Sequence, residues 1–147
     1  MSFTLTPSDV TVYSPEQQPD NPGDAGRAID GNPDTAWATS EYMQQLPAFK
    51  NGVGLILTFN GAYNFSEIDI ETSRPGSRVE VRLADDTSPE LDDTVVIGNA
   101  ELEDGVTTIP LNAGEESEHL LIWIDRLSEA DGRIQGSISS IKVTAQQ

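Results

Sequence analysis

Apolar and polar residues alternate with period two along much of this chain, a pattern that predicts strands with one buried face. Val53, Leu55, Leu57 and Phe59 alternate with Gly54, Ile56, Thr58 and Asn60. Ile68 and Ile70 alternate with Glu67, Asp69 and Glu71, and Val79, Val81 and Leu83 with Arg78, Glu80 and Arg82. Asn60-Gly61 between the first two runs is a hairpin signal, and Arg74-Pro75-Gly76 makes the next turn. Further strands are expected near 9–13 and at 94–100, 105–111, 119–126 and 137–145. The run from His119 to Ile124 is apolar on both parities, as in a central strand whose outer face is partly covered by loops. Pro110 places its own strand at an edge or at its end. About eight short strands with long connections predict an all-β fold, an antiparallel β-sandwich or jelly roll. The segment from Ser14 to Gly26 reads as a long polar loop, of the kind that is functional or mobile.

Composition narrows this picture. The 147 residues suit one domain, 1–147, and include no cysteine, which excludes disulfides and a Cys-ligated zinc site. Twenty-five acidic residues face eight basic ones, for a net charge of −17. Such a surface repels duplex nucleic acid and anionic lipid, so neither nucleic-acid binding nor direct membrane insertion by this domain is expected. It fits a halophile or a strongly solvated exported domain. No run of 18 apolar residues exists, and Met1-Ser2-Phe3 does not open a signal peptide. An exported domain would then be a piece of a larger protein whose signal or anchor lies elsewhere.

The segment 27–39, RAIDGNPDTAWAT, concentrates oxygen-bearing side chains in a turn. Asp30, Asn32 and Thr35 lie within six residues, which suits a hard cation or a tightly self-bonded loop. Trp37 follows and is expected in the core.

This turn resembles the signature of discoidin-type (factor V/VIII type C) domains and related carbohydrate-binding modules. The order of the later pieces, Gly52 to Phe59, Ile68 to Thr72, Gly76 to Val81, Leu120 to Ile124 and Ile138 to Val143, is similar to the galactose-binding-like jelly roll. A narrower likeness lies in AWATSEYMQQLPAFKNGVGLIL and HLLIWIDRLSEADGRIQGSISSIKV. These look like the C-terminal extracytoplasmic domain of actinobacterial MviN-type lipid II flippase-like membrane proteins. The resemblance implies a non-catalytic module on the cell-surface side, tethered through a membrane-spanning part outside this chain. It would contact cell-wall glycan or peptidoglycan-related material. The rival reading is a scaffold domain that docks another extracytoplasmic protein.

The resemblance also implies sites. In calcium-bearing relatives such a loop supplies metal ligands, and Asp30, Asn32 and Thr35 match them, with Ca2+ as a structural ion. The closing Glu of those relatives is replaced by Ser140, which removes a carboxylate. Tyr42, Met43 and Phe49 fall where relatives place ligand-contacting loops; Tyr42 is the candidate for stacking on a sugar, with loop anchoring as the alternative. Arg74 and Arg78 flank the Pro-Gly turn and suit bidentate bonds to a ligand carboxylate, joined by Arg133. The plainer role for these arginines is to offset the acidic surface. Trp37 and Trp123 read as core residues rather than sugar platforms. His119 lies in no catalytic motif, and the acid pairs Asp85-Asp86 and Asp92-Asp93 read as solvated loop faces. No enzymatic activity is expected.

Overall fold

The computed structural model describes residues 2–14, 21–30, 32, 34–39, 41–42, 52–85, 90–112, 114–129 and 132–146. Ten strands run through them: β1 (Ser2–Leu5), β2 (Asp9–Tyr13), β3 (Trp37–Ala38), β4 (Val53–Thr72), β5 (Arg78–Ala84), β6 (Val95–Glu101), β7 (Gly105–Pro110), β8 (Ser117–Arg126), β9 (Ser137–Ile138) and β10 (Ser140–Gln146). All pairings are antiparallel. One layer is ordered β1-β10-β4-β7, the other β2-β4-β8-β5-β6, and the short β3-β9 ladder stands apart. The all-β sandwich expected from the alternation is the fold.

The strand β4 belongs to both layers. Its first half pairs with β2 and β8, and its second half, from Asn64 to Thr72, with β10 and β7. Asn60-Gly61 is therefore not a hairpin turn. The residues on either side of it never pair with each other; they lie in opposite sheets, and the chain rounds a corner between them. Between Thr58 and Tyr63 the ladder with β8 is interrupted. Phe59, Tyr63 and Phe65 pack together there, with ring centroids 4.9 to 6.5 Å apart, and the Tyr63 hydroxyl donates to Asn60 Oδ1.

Crossing between sheets requires a change of parity. Val53 to Phe65 point odd-numbered residues inward, whereas Ile68 and Ile70 are even. The change is made at Ser66: Glu67 faces Thr144 and Phe65 faces Ala145, so β4 carries one extra residue at that step, a β-bulge. Inward residues of both layers then share one core, including Leu55, Leu57, Ile68, Val81, Leu120, Ile122 and Val143.

The expected covering of the central strand β8 is present. Leu121 and Trp123 point to the outside of their sheet, yet are buried in a second cluster with Tyr13 and Ile56, against Leu91. Arg82 holds that cover in place by donating to the Leu91 carbonyl and to Thr94 Oγ1 while paired with Glu80 at 2.6 Å. Pro110 ends β7, which pairs with β4 alone. The strand expected over 137–145 is split by Ser139 into β9 and β10. The loop expected from Ser14 to Gly26 contains a 3-10 segment, Pro22–Ala28, that buries Ala25 and Ala28 in the core; residues 15–20 of it lie outside the described residues. No strand was expected at β1, although Phe3 and Leu5 alternate with Ser2 and Thr4 there. No helix among the described residues is long and apolar enough to cross a membrane.

Gly52 and Gly54 are fixed by close approach. A Cβ on Gly54 would lie 2.2 Å from the Ile122 carbonyl oxygen, and one on Gly52 would lie 2.6 Å from both the Ile124 carbonyl oxygen and the Trp123 ring. Backbone cannot yield cheaply, so Gly54→Ala is expected to cost on the order of 2–3 kcal/mol by overpacking. In a domain of this size that lowers Tm by about 5–10 °C. Thermal unfolding by circular dichroism checks it; an unchanged Tm would mean that β4 and β8 are further apart than described.

Candidate functional site

Four segments meet at the end of the sandwich opposite the β4 corner. They are 37–39 with 41–42, the turn 74–78, the stretch 125–129 and the stretch 132–139. Hydrogen bonds join the first and last: Trp37 faces Ile138, the Thr39 N–H donates to the Gly136 carbonyl, the Gly136 N–H donates to Thr39 Oγ1, and the Tyr42 N–H donates to the Ile134 carbonyl at 2.9 Å. Gln135 adds a side-chain bond to the Thr39 carbonyl. The turn at Pro75-Gly76, where Gly76 takes φ 107°, is tied to the third segment. There Ser128 Oγ donates to the Pro75 carbonyl, and the Ser128 N–H donates to Ser77 Oγ. Thr72 and Ser137 share a buried hydroxyl bond at 3.2 Å.

Three of the four residues expected to bind ligand converge here, and the fourth sits at the edge. Tyr42 is half-buried, bridges to Ile134 and packs against the core, so it anchors its loop as well as facing this end. Arg74 donates from Nε to the Gln135 carbonyl at 3.2 Å and from Nη2 to the Arg133 carbonyl at 3.1 Å; it braces the loop. Arg133 pairs through Nε with Glu41 at 3.1 Å. Arg78 forms a two-pronged pair with Asp125, at 2.9 and 3.3 Å, and that carboxylate holds its guanidinium above the ordinary arginine range. Arg126, opposite Arg78 across the ladder, pairs with Glu129 at 3.3 Å. Sequence reasoning missed Asp125, Glu129, Glu41, Gln135 and Thr39, because each meets its partner through tertiary folding that no local pattern encodes. Met43 and Phe49 lie outside the described residues.

The tryptophans are buried as expected, Trp37 in the main core and Trp123 in the outer cluster, edge-on to Tyr13 at 5.7 Å. His119 meets Thr58 Oγ1 through Nδ1 at 3.1 Å within the sheet. Asp85, Asp92 and Asp93 are exposed; Asp86 lies outside the described residues.

The Asp30 turn stands beside this end, ahead of β3. Asp30 Oδ1 accepts the Asn32 N–H at 3.0 Å and Oδ2 accepts the Thr35 hydroxyl at 2.5 Å; Asn32 Oδ1 accepts the Asp34 N–H at 3.0 Å. The Thr35 hydroxyl bond, then the Asn32 amide, hold the Asp30 carboxyl below its ordinary range. Among the described residues no three His, Cys, Asp or Glu side chains converge. Both Asp30 carboxylate oxygens accept bonds within the turn, and Asn32 Oδ1 and the Thr35 hydroxyl are engaged there too.

The fold is an antiparallel β-sandwich whose loops gather at one end. No family profile matches the chain. Among solved structures it is similar to the family 32 carbohydrate-binding module of AlyQ in complex with 4,5-unsaturated mannuronic acid (TM-score 0.69, 12% identity, covering 96% of this chain and 97% of that one). It is also similar to the third family 32 module of a family 31 glycoside hydrolase from Clostridium perfringens (0.69, 18%, 98% and 96%). A third is chitosan-binding module 2 of a chitosanase/glucanase from Paenibacillus sp. IK-5, in complex with chitotriose (0.66, 15%, 95% and 96%). These likenesses establish the shared fold.

A lowered carboxyl pKa makes Asp30 stabilising above its unfolded value of 3.8, with that contribution lost as pH falls through the lower folded value. Asp30→Asn is therefore expected to lower Tm at neutral pH, with the gap to wild type closing as pH falls below 3.8. A gap independent of pH would mean that the Asp30 charge does not support the turn.

Proposed function

We propose that this chain is a non-catalytic glycan-binding module, and that glycan is held at the loop-bearing end by Tyr42 with the rim of Arg–carboxylate pairs. The observation that carries this reading is near-complete overlap with several carbohydrate-binding modules, among them ones holding mannuronic acid and chitotriose. Exposed guanidinium–carboxylate pairs set hydrogen-bond donors beside acceptors, which is what vicinal sugar hydroxyls require. We place the module outside the cell, on a membrane protein of cell-wall synthesis, with peptidoglycan-related material as its ligand. The residue likeness to MviN-type proteins supports that context. The partners Ser2 and Gln146 lie at the corner end, so a tether there leaves the loops open.

One observation favours docking to another extracytoplasmic protein instead. Both tryptophans are buried, and Tyr42 is half-buried, so the described part of this end offers little aromatic surface for stacking.

Isothermal titration with soluble peptidoglycan fragments and neutral oligosaccharides separates the two readings. Tyr42→Ala removes the ring but keeps the backbone bridge. It is expected to weaken glycan binding by about tenfold, in line with a stacking contribution of roughly 1 kcal/mol or more. No heat with any glycan would favour protein docking. In the same reading the Asp30 turn needs no metal, so millimolar calcium is expected to leave Tm unchanged with or without chelator. A calcium-dependent rise abolished by Asp30→Ala would assign it a metal.

A further inference from the structure

Asn60-Gly61 makes no hairpin, and neither space nor backbone geometry accounts for its glycine. A Cβ on Gly61 would meet nothing closer than the Tyr63 side chain at 3.7 Å, an ordinary contact, and Gly61 does not take a positive φ. The pair sits where β4 has lost its neighbours. Residues 59–62 face no partner in either layer among the described residues, and Asn60 is exposed. Backbone outside a ladder reaches conformations that a paired strand cannot.

An Asn followed by Gly carries a reaction of its own. The backbone nitrogen of the second residue attacks the side-chain amide carbon of the first, and glycine puts no side chain in the way. The corner adds an activating group. Tyr63 Oη stands 3.7 Å from the Gly61 Cβ position and donates to Asn60 Oδ1 at 2.7 Å, so one hydroxyl bridges the residue that attacks and the amide attacked. A donor on that oxygen polarises the carbonyl and stabilises the oxyanion formed on attack. Phe59 and Phe65 hold the Tyr63 ring, with centroids at 6.4 and 6.5 Å.

We propose that Asn60 is a site of spontaneous modification, at which the corner converts an amide to a carboxylate with Tyr63 as the activating donor. Hydroxide takes the Gly61 N–H proton, and the nitrogen bonds to Asn60 Cγ. The Cγ–Nδ2 bond then breaks and the amide leaves as ammonia, giving a cyclic succinimide. Water opens either carbonyl of that ring. The products are aspartate and isoaspartate, the latter with its main chain running through the side-chain carboxyl. Water is consumed, ammonia is released, and nothing is oxidised or reduced. Isoaspartate lengthens the backbone by one methylene, which a stretch with no register to keep accommodates. Gly52, in the chain's other Asn-Gly pair, is buried against the Ile124 carbonyl and the Trp123 ring and lacks that freedom.

Warm incubation of the whole chain at mildly alkaline pH, followed by peptide mass mapping, tests this. Asn60 is expected to convert ahead of Asn51, with a gain of close to one mass unit and a mixture of aspartate and isoaspartate. Tyr63→Phe keeps the ring and removes the hydroxyl. It is expected to slow conversion of the folded protein by about fivefold and to leave the rate in urea unchanged. Gly61→Ala, for which there is room, should nearly stop the reaction. Thermal unfolding of each variant confirms that it folds. Survival of Asn60 in the folded protein while the urea-unfolded chain converts would overturn the proposal, as would conversion of Asn51 ahead of Asn60. An unchanged rate in folded Tyr63→Phe would overturn the role given to its hydroxyl.

Discussion

A single strand serving two sheets is the constraint on which this structure depends. β4 must present odd residues to the core in one layer and even residues in the other. Without the extra residue at Ser66 the second half would turn Glu67, Asp69 and Glu71 inward and Ile68 and Ile70 outward. Desolvating even one unpaired carboxylate costs several kcal/mol, more than a domain can spare from its net stability. The bulge is thus compelled by the pattern on either side of it. The corner aromatics Phe59, Tyr63 and Phe65 close the core where the ladder with β8 is interrupted.

The loop-bearing end inherits its shape from that arrangement. The two halves of β4 bring Gly52 and Thr72 back to the same end in different sheets, and the segments around them are then stitched by buried bonds. Thr39 to Gly136, Thr72 to Ser137 and Ser128 to Ser77 are such bonds. Each satisfies a group that would otherwise be desolvated without a partner, so losing one costs more than forming it gains. The exposed pairs Arg133–Glu41 and Arg126–Glu129 are different in kind. Median surface pairs contribute about 0–1 kcal/mol, so they can open at little expense. The result is a rigid floor with an adjustable rim, which suits binding loops on a β scaffold.

Much of this was legible in the residues. The residue pattern located β2, β5, β6, β7 and β8, read the single strand β4 as two and ran β9 and β10 together; the doubly apolar run at β8 correctly implied a covered outer face. The hairpin reading of Asn60-Gly61 failed for a physical reason. A parity change interrupted by an Asn-Gly pair looks the same whether the chain turns back beside itself or crosses to a facing sheet, and only long-range pairing decides. The site was legible as a region but not as a set of contacts. Arg74, Arg78 and Arg133 were expected either to bond a ligand carboxylate or to offset the acidic surface, and each is engaged by carbonyls or carboxylates supplied from elsewhere in the chain. Nothing in local sequence names Asp125 or Glu41 as those partners.

The Asp30 turn illustrates how one motif admits two chemistries. Asp, Asn and Thr at this spacing offer oxygens to a cation, but they offer the same oxygens to the turn's own N–H and O–H donors. Here both Asp30 oxygens accept the turn's own donors, and Asn32 Oδ1 caps Asp34. Its structural product lies just downstream. The turn delivers the chain to Trp37, which is fully buried and paired with Ile138, and through it to the ladder that carries Thr39 and Tyr42. The most recognisable stretch of the sequence therefore acts on the loop-bearing end by position: it sets where the first loop enters.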